Sequence, residues 1–352
     1  MTNVCIIVGA RPNFVKVAPL VRVLGATSDA DSMLVYAGRD DDHTLEPTLF
    51  SDLDMPAPQV YLGCDSQRLN EITSFVMAAF DSHLDRHPAD VIVVVDDLAS
   101  TMAAAIVAKK RGLRLAHLVA GTRTFDPHEP KEVNRLVIDA LSDYLFTAGI
   151  RSNSIATREQ QSDDAHTYMV GNILIDSLRH SLPKLRRPQI EGLQDRYLLL
   201  TLNRRMLLND APSLLPLLTS LLSQDMPVVA PLRPAAAVIV GKLCSSSPQL
   251  HIVPPQSYLE FEWLLSHACA VVTDSGNVAE EATFLGKPCI TLADHAEHQE
   301  TVTVGTNLLV GTDCRRLTEA LTLLATGQWK SGAIPDRWDG HTAERIVSIL
   351  TS

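Results

Sequence analysis

Five consecutive valine and isoleucine residues, Val91–Val95, constrain the fold of this chain more than any other stretch. An unbroken β-branched run of this length is typical of a strand that is buried on both faces of a parallel sheet. The run ends at two carboxylates, Asp96 and Asp97, and a helical pattern and a second strand-like segment follow. Strand, helix and strand in this order predict βαβ units.

The same alternation runs through both halves of the chain. In the first half the predicted strands are 4–8, 32–36, 91–95 and 113–119, and the predicted helices are 14–24, 66–84 and 100–110. In the second half the predicted strands are 197–202, 228–230, 250–253, 270–272 and 289–292, and the predicted helices include 212–222 and 278–285. Between the halves, residues 182–195 lose this pattern and are rich in Pro, Arg, Gln and Glu, which indicates a linker.

Two domains are therefore expected, because the 352 residues are about twice the usual length of one domain. We predict an α/β fold of two Rossmann-like, doubly wound domains that face each other across a cleft, which is the default place for a ligand. The predicted boundaries are 1–181 for the N-terminal domain, 182–196 for the linker and 197–352 for a nucleotide-binding C-terminal domain. The last helix is a candidate to pack back on the N-terminal domain.

The composition argues against several classes of protein. A net charge of −11 disfavours a general nucleic-acid-binding or anionic-membrane surface. The six cysteines are scattered, with neither a CxxC pair nor zinc-ligand spacing, which fits a reduced cytosolic compartment. Since neither a signal peptide nor a run of about 18 apolar residues is found, we expect a soluble, cytoplasmic protein without a membrane partner.

The segment GARPNFVK, residues 9–16, joins the first strand to a helix in the manner of an anion site. Glycine supplies the turn, and Pro12 suits the first helical turn, where free backbone amides attract anions. Arg11 and Lys16 add positive charge near the same point. An ordinary βα loop with surface cations explains the segment equally well, and spacing alone does not decide between the two.

The segment TDSGNVAEE, residues 273–281, is a second candidate for a phosphate site. Asp274 or Ser275 is placed to cap the following helix, and Gly276 lets a ligand approach the backbone. Glu281 lies further along the helix, within reach of sugar hydroxyls. A simple capped helix is the alternative, but together with the first loop the segment favours a diphosphate clamped between the domains.

Three further stretches are weaker candidates. Because adjacent carboxylates on a strand point to opposite faces, Asp96 and Asp97 are not predicted to form an acid/base pair; Asp97 is the functional candidate, and Asp96 is predicted to cap a helix. The segment NRR at 203–205 suits either a phosphate contact or a solvated edge. The motif HAEH at 295–298 lacks a third convincing ligand, so no metal site is predicted.

The stretch HLVAGTRTFDPHEPKEVNR, residues 117–135, poses the main functional question. We interpret it as a strand end followed by a polar loop that carries, among other charged residues, His128, Lys131 and Glu132. Loops at the carboxyl ends of strands hold the chemistry of open α/β sheets. Yet the strand's tip, Val119, is apolar and Lys131 is a cation, so this is either an active-site loop or one whose reactive groups have been replaced.

Taken together, these segments resemble the non-hydrolysing UDP-N-acetylglucosamine 2-epimerase family over nearly the full chain. The resemblance rests on GARPNFVKVAPL at 9–20, HLVAGTRTFDPHEPKEVNR at 117–135, DALSDYLFTA at 139–148, VGNILIDSL at 170–178, TDSGNVAEEATFLGKPCITL at 273–292 and VGTNLLVGTD at 304–313. It implies a two-domain glycosyltransferase-B fold, UDP or a UDP-sugar as ligand, a homodimer and no cofactor. It also implies elimination of UDP across C1 and C2 of the sugar and re-addition with C2 inverted, which requires a base for the C2 proton.

Ten positions are assigned nucleotide-binding roles, nine from the resemblance and Arg204 as a cation at a strand end. They are Arg11, Lys16, Arg204, Gln256, Phe261, Ser275, Gly276, Asn277, Glu281 and His298. Arg11 and Lys16 match the family's phosphate-contacting residues, and Glu281 matches its ribose-binding glutamate. His298 stands where the family has an arginine.

The reactive positions differ from the family pattern. Val119 stands at the Glu of HVEAG, Lys131 at the leading Glu of PEE-x-NR, and Asn203 at the His of an HR motif. Valine cannot accept a proton, lysine inverts the charge, and asparagine cannot act as a general acid near neutral pH. The family's Asp is kept as Asp97, and the Gly before it is Asp96. The candidate catalytic residues are then Asp97, Lys131, Glu132, His117 and His128.

Three functions fit these observations. The first is an enzyme that acts on a UDP-N-acetylhexosamine, or a related nucleotide sugar, with altered chemistry. The second is a non-catalytic nucleotide-sugar binder or partner subunit. The third is an epimerase that uses substitute acid/base groups. A retained nucleotide site with replaced reactive groups favours binding over standard epimerisation, but it does not separate the first two functions.

Overall fold

The computed structural model describes residues 1–244 and 247–352. The described chain forms two compact units, Met1–His180 with Asp336–Ser352, and Ser181–Pro335. Each unit contains one sheet, and every pairing between described strands is parallel. The predicted α/β class with two Rossmann-like units is therefore confirmed.

The first unit is built on a seven-stranded sheet in the order β3-β2-β1-β4-β5-β6-β7. Its strands are β1 Thr2–Val8, β2 Ala30–Tyr36, β3 Val60–Tyr61, β4 Val91–Val95, β5 Arg114–Leu118, β6 Tyr144–Thr147 and β7 His166–Met169. Its helices are α1 Arg11–Ala26, α2 Leu49–Asp52, α3 Leu69–Arg86, α4 Ala99–Lys110, α5 Pro130–Leu141, α6 Ile150–Glu159 and α7 Ile173–Ser181. The strand order reverses between β1 and β4, and ligands of doubly wound sheets bind at such a switch point.

The second unit has a six-stranded sheet in the order β10-β9-β8-β11-β12-β13. Its strands are β8 Leu198–Thr201, β9 Val228–Pro231, β10 Leu250–Val253, β11 Ala270–Thr273, β12 Cys289–Thr291 and β13 Asn307–Leu309. Its helices are α8 Arg205–Asn209, α9 Ala211–Leu222, α10 Pro234–Leu243, α11 Tyr258–His267, α12 Gly276–Phe284, α13 Glu300–Thr303 and α14 Cys314–Ala325. Here the switch point lies between β8 and β11.

The last helix, α15 Thr342–Leu350, packs against α1 in the first unit. The backbone amide of Ala343 donates to Asp176 Oδ2 at 2.8 Å, which ties the start of α15 to α7. The fully buried Trp338 donates from Nε1 to the carbonyl of Ala148 at 2.9 Å. These contacts explain why the segment 336–352 belongs to the first compact unit.

All five residues of β4 are buried, as its uniform aliphatic sequence predicts. The strands predicted in both halves are present, with ends displaced by two residues or fewer. One prediction was wrong: the polar stretch after β5 is not a loop throughout, because α5 begins at Pro130. Proline suits a first helical turn, while the buried face of α5 carries Glu132 and Arg135, so polar residues masked its helical pattern.

No helix in the described parts of the chain is long and apolar enough to cross a membrane.

Candidate functional site

Two residues with unusual backbone conformations lie side by side at the carboxyl ends of β4 and β5. Val95 pairs with Leu118 in the sheet register, so Asp96 and Val119 are the next residues on the two strands. Their φ angles are 59° and 70°, in the left-handed region. Aspartate tolerates that region, but a β-branched valine there is strained. The backbone at this sheet edge is therefore held in place by its surroundings.

Asp96 makes an ion pair with the segment 9–16, which we call the first loop and whose Arg11 and Lys16 lie in the first turns of α1. Its Oδ1 lies 2.6 Å from Lys16 Nζ, and its Oδ2 accepts from Asn13 Nδ2 at 2.9 Å. The Asn13 side chain in turn accepts the Gly9 amide at 3.0 Å. The prediction that Asp96 caps a helix was wrong, because the residue that precedes α4 is Leu98. The left-handed turn directs the carboxylate to α1 instead.

Arg11, the other cation of the first loop, is held by Glu46. The guanidinium donates from Nε to both carboxylate oxygens, at 2.9 and 2.7 Å, and from Nη2 to Oε1 at 2.5 Å. Such a forked, charge-assisted contact is among the stronger side-chain interactions. Both cations predicted to meet a phosphate therefore have carboxylate partners within the first unit.

His117 lies in a buried polar network below this edge. Its Nδ1 is 2.5 Å from Asp139 Oδ1, and its Nε2 donates to the carbonyl of Asp96 at 2.9 Å. Asp139 Oδ2 also meets Arg123 at 2.7 Å and the amide of Gly121 at 3.0 Å. Burial acts to raise the pKa of Asp139, but His117, Arg123 and the Gly121 amide outweigh it and hold that pKa below its usual value. With both ring nitrogens engaged, His117 positions the strand ends.

Asp97 is surrounded by cations and donors from α5. Arg135 Nη2 lies 2.5 Å from Oδ2, and Lys131 Nζ lies 3.3 Å from Oδ1. Asn134 donates to the backbone carbonyl of Asp97 at 2.8 Å. The Lys131 side chain is 52% exposed, whereas that of Asp97 is 9% exposed. The Lys131 side chain is thus far more exposed than that of Asp97.

Glu132 holds the loop that follows β5. Its carboxylate accepts the amides of Thr124 at 2.9 Å and Phe125 at 3.1 Å, and the Thr124 hydroxyl at 3.2 Å. It is 2% exposed. A carboxylate engaged in this way stabilises the loop and is poorly placed to take a proton from a ligand. His128, the remaining predicted catalytic residue, is exposed in the turn before α5.

In the second unit, Asp274 joins the ends of β8 and β11. Its carboxylate accepts the amide of Asn203 at 2.9 and 2.8 Å and that of Arg204 at 2.7 Å. Burial raises the pKa of Asp274, and these amides oppose the shift. The prediction that its side chain caps α12 was therefore wrong. Ser275 occupies the N-cap position but makes no side-chain capping bond.

Several predicted nucleotide-binding residues meet at the start of α12. A cavity of about 10 Å³ is lined by Arg204, Gly276, Glu280 and His298, among others. His298 is buried, with Nε2 3.8 Å from Glu280 Oε1. A Cβ added at Gly276 would lie 3.2 Å from Glu297 Oε2. Glycine at this position therefore keeps the space between the start of α12 and the Glu297 carboxylate open.

The remaining predicted nucleotide-binding residues are not part of that cavity. Asn277 is half-buried in the first turn of α12, and Glu281 is buried one turn further on. Gln256 follows β10 and donates to the carbonyl of Pro254 at 2.6 Å. Phe261 on α11 packs against the apolar core of the unit.

Among the described residues, no group of His, Cys, Asp and Glu is arranged to hold a metal ion. The six cysteines are free, and Cys5 and Cys289 are buried. Sequence reasoning missed Glu46 and Asp139 as parts of the site. Glu46 is 35 positions from Arg11, so no local spacing connects them, whereas Asp139 lies inside one of the segments that carry the family resemblance.

Comparison with known proteins agrees with this architecture. A family model described as UDP-N-acetylglucosamine 2-epimerase matches residues 22–351. A UDP-N-acetylglucosamine 2-epimerase of Methanocaldococcus jannaschii is 30% identical, over 98% of each chain. A UDP-2,3-diacetamido-2,3-dideoxy-D-glucuronate 2-epimerase of Pseudomonas aeruginosa is also 30% identical, again over 98% of each chain.

Solved structures show the same likeness. The Methanocaldococcus jannaschii UDP-GlcNAc 2-epimerase in complex with UDP-GlcNAc and UDP is 29% identical and covers 99% of each chain, with a TM-score of 0.87. The UDP-GlcNAc 2-epimerase of Neisseria meningitidis bound to UDP-GlcNAc is 27% identical and also covers 99% of each chain, with a TM-score of 0.88. The two-unit fold is thus of the glycosyltransferase-B type, and the chain belongs to the UDP-N-acetylglucosamine 2-epimerase family.

Proposed function

We propose that this protein binds UDP or a UDP-linked N-acetylhexosamine, or a related nucleotide sugar, and that standard 2-epimerisation is impaired in it. Relatives of similar length, 27–29% identical, have been solved with UDP-GlcNAc, which supports the ligand class. The arrangement of Arg204, Gly276 and His298 at the start of α12 supports a phosphate site there. On this proposal the ligand is a nucleotide sugar, no cofactor is needed, and the protein is a cytoplasmic homodimer.

The proposal that 2-epimerisation is impaired rests on the side chains at and near the family's reactive positions, which are either unable to transfer a proton or engaged in other contacts. Val119 cannot take a proton, Glu132 is used to hold the loop after β5, and both nitrogens of His117 are engaged in the buried network. Asn203 lends its amide to Asp274 and has no titratable side chain. Since a positioned acid or base contributes about 10²–10⁴-fold to rate, their loss removes most of the family's acid/base catalysis.

Altered chemistry is supported by the contact between Lys131 and Asp97. A lysine with a half-exposed side chain beside a nearly buried carboxylate is an acid/base pair that differs from a pair of carboxylates. In this version of the proposal the enzyme acts on its nucleotide sugar through that pair. The alternative is a nucleotide-sugar binder without catalysis. It is supported by the contacts of His117 and Glu132, whose polar atoms already have partners within the protein.

Titration calorimetry with UDP and with UDP-N-acetylglucosamine tests whether the protein binds these ligands. If no heat of binding is measured at millimolar ligand, the proposed binding is overturned. The reverse substitutions Val119→Glu, Lys131→Glu and Asn203→His, made together, test the catalytic half. Gain of epimerase activity in this triple variant, against little in the natural sequence, supports the assignment of these positions. High activity in the natural sequence contradicts it. Substitution of Lys131 alone by methionine separates the enzyme from the binder, because only an enzyme that uses the ammonium loses turnover while it keeps its affinity.

A further inference from the structure

The first loop carries its own counter-ions, and this sets it apart from an open anion site. Lys16 is almost buried, with 6% of its side chain exposed, and its Nζ lies 2.6 Å from Asp96. Arg11, five residues earlier in α1, donates to both carboxylate oxygens of Glu46. Both carboxylates reach the loop from distant parts of the first unit, 80 and 35 positions away along the chain.

A buried ammonium requires an anion nearby, because removing a charge from water is costly unless it is paired. A nucleotide diphosphate that meets Lys16 offers such an anion, and so does the Asp96 carboxylate. Two anions on one lysine repel each other, so each weakens the binding of the other. The resemblance implies glycine at position 96. Glycine has no side chain, so the position beside Lys16 Nζ would be left to an anion of the ligand.

The backbone conformation at position 96 suits either glycine or aspartate. Its φ of 59° is one that glycine adopts freely and that aspartate and asparagine tolerate better than most residues. An aspartate at this glycine-like turn therefore adds a carboxylate without changing the course of the chain. The Asn13 amide, which donates to Oδ2, fixes that carboxylate against Lys16.

We propose that Asp96 and Glu46 are internal counter-ions that set the affinity of the first loop for anions, with Asp96 in the place a ligand phosphate oxygen would take beside Lys16. This rests on the proposed nucleotide binding and adds a specificity-determining pair to it. The loop then discriminates against highly charged free nucleotides more than a loop with glycine at 96 does. Nucleobase recognition is untouched by this pair.

The experiment compares the natural protein with Asp96→Asn, Asp96→Gly and Glu46→Gln. Calorimetry is run with UDP, inorganic pyrophosphate and uridine, which separate the contributions of charge and base. Asp96→Asn is expected to tighten UDP about tenfold, equal to about 1.4 kcal/mol, and to tighten pyrophosphate, while the affinity for uridine stays the same. Glu46→Gln is expected to act in the same direction through Arg11.

A matched control is Asp163→Asn, which changes the net charge equally in the exposed turn before β7. It is expected to leave all three affinities unchanged. If UDP binds the natural protein and Asp96→Asn equally well, or if uridine tightens as much as UDP, the inference is overturned while nucleotide binding stands. If pyrophosphate tightens but UDP binds no variant, the proposed function fails and the counter-ion role stands. If no ligand binds any variant, both fall.

Discussion

The buried network of Asp139 gives the most quantitative prediction. The Asp139 carboxylate meets His117, Arg123 and the amide of Gly121, and the side chains of His117 and Arg123 are 1% and 2% exposed. In Asp139→Ala these groups lose a partner inside the protein. Breaking a buried pair by removing one member costs about 3–5 kcal/mol when the other charge is left uncompensated. Because Arg123 keeps Glu159 as a partner at 2.9 Å, the lower end of this range, about 3 kcal/mol, applies. We expect a loss of that size in the free energy of unfolding of the first unit.

The measurement must report on the first unit alone, since a chain of two units does not unfold in one step. The protein has three tryptophans. Trp338 lies in the first unit, and Trp263 and Trp329 lie in the second. In a Trp263→Phe, Trp329→Phe background, the fluorescence of Trp338 during urea unfolding follows the first unit. Asp139→Asn, which keeps the shape and an acceptor, is expected to lose less.

The pH dependence gives a second readout with a defined sign. Because the pKa of Asp139 is held below its usual value, its contribution is present above the unfolded pKa of about 3.9. It is lost as pH falls through the folded pKa, so the difference between natural protein and Asp139→Asn should begin to shrink below about pH 4 and vanish only below the folded pKa. Glu71→Ala, at the exposed pair with Arg68, is the control and should change stability little. A loss under about 1 kcal/mol in Asp139→Ala would refute the structural role of the network.

Three other predictions concern single positions. Glu132→Ala should expose the 121–125 loop to limited proteolysis and lower the free energy of unfolding by about 1–3 kcal/mol, whereas Glu132→Gln should keep part of the protease resistance and part of the stability. Equal protease resistance in the natural protein and both variants would contradict the role of Glu132 in holding the loop. Val119→Gly should raise the free energy of unfolding by about 1 kcal/mol, since it relieves a left-handed valine, while Val119→Ala should not; a urea titration that shows no difference between the two argues against strain. Burial raises the pKa of Asp176 to about 6, opposed by the Ala343 amide, so its contribution to stability is full below about pH 4 and is lost as pH rises through 6. Asp176→Asn should therefore be more stable than the natural protein at pH 7 and equal to it at pH 4, and the reverse order in thermal melts would be contrary to this sign.

Much of the fold follows from the sequence because parallel strands that are buried on both faces consist of aliphatic runs. β4 and β10 were predicted to the residue, and the strand–helix alternation gave the two Rossmann-like units. The strands β3, β6, β7 and β13 were not predicted, because β3 has only two residues and the other three lack a continuous β-branched run. The helix α5 was not predicted because most of its buried positions are polar, namely Glu132, Asn134, Arg135 and Asp139. Their burial depends on hydrogen bonds and ion pairs, such as those of Asn134 and Arg135 with Asp97, that form only in the folded chain.

The segments that form the candidate site could be predicted from the sequence, but most of the ion pairs between their side chains could not. The loops after β1, β5 and β11 were found from glycine, proline and charge at strand ends. The partners Glu46 for Arg11 and Asp96 for Lys16 depend on tertiary contacts that no spacing rule contains. The family resemblance already places Asp97 and Lys131 in one site, and the structure adds that the two form an ion pair at 3.3 Å.

We propose that standard 2-epimerisation, with its elimination chemistry at C2 of the sugar, is impaired in this member of the family. Incubation with UDP-N-acetylglucosamine in deuterated water, followed by mass spectrometry and NMR of the sugar, tests it directly. A C2 proton that is removed and replaced exchanges with solvent. We predict that UDP-N-acetylglucosamine is recovered without deuterium at C2, under conditions where calorimetry shows that the ligand is bound. Deuterium at C2 at a rate typical of an enzyme would contradict it.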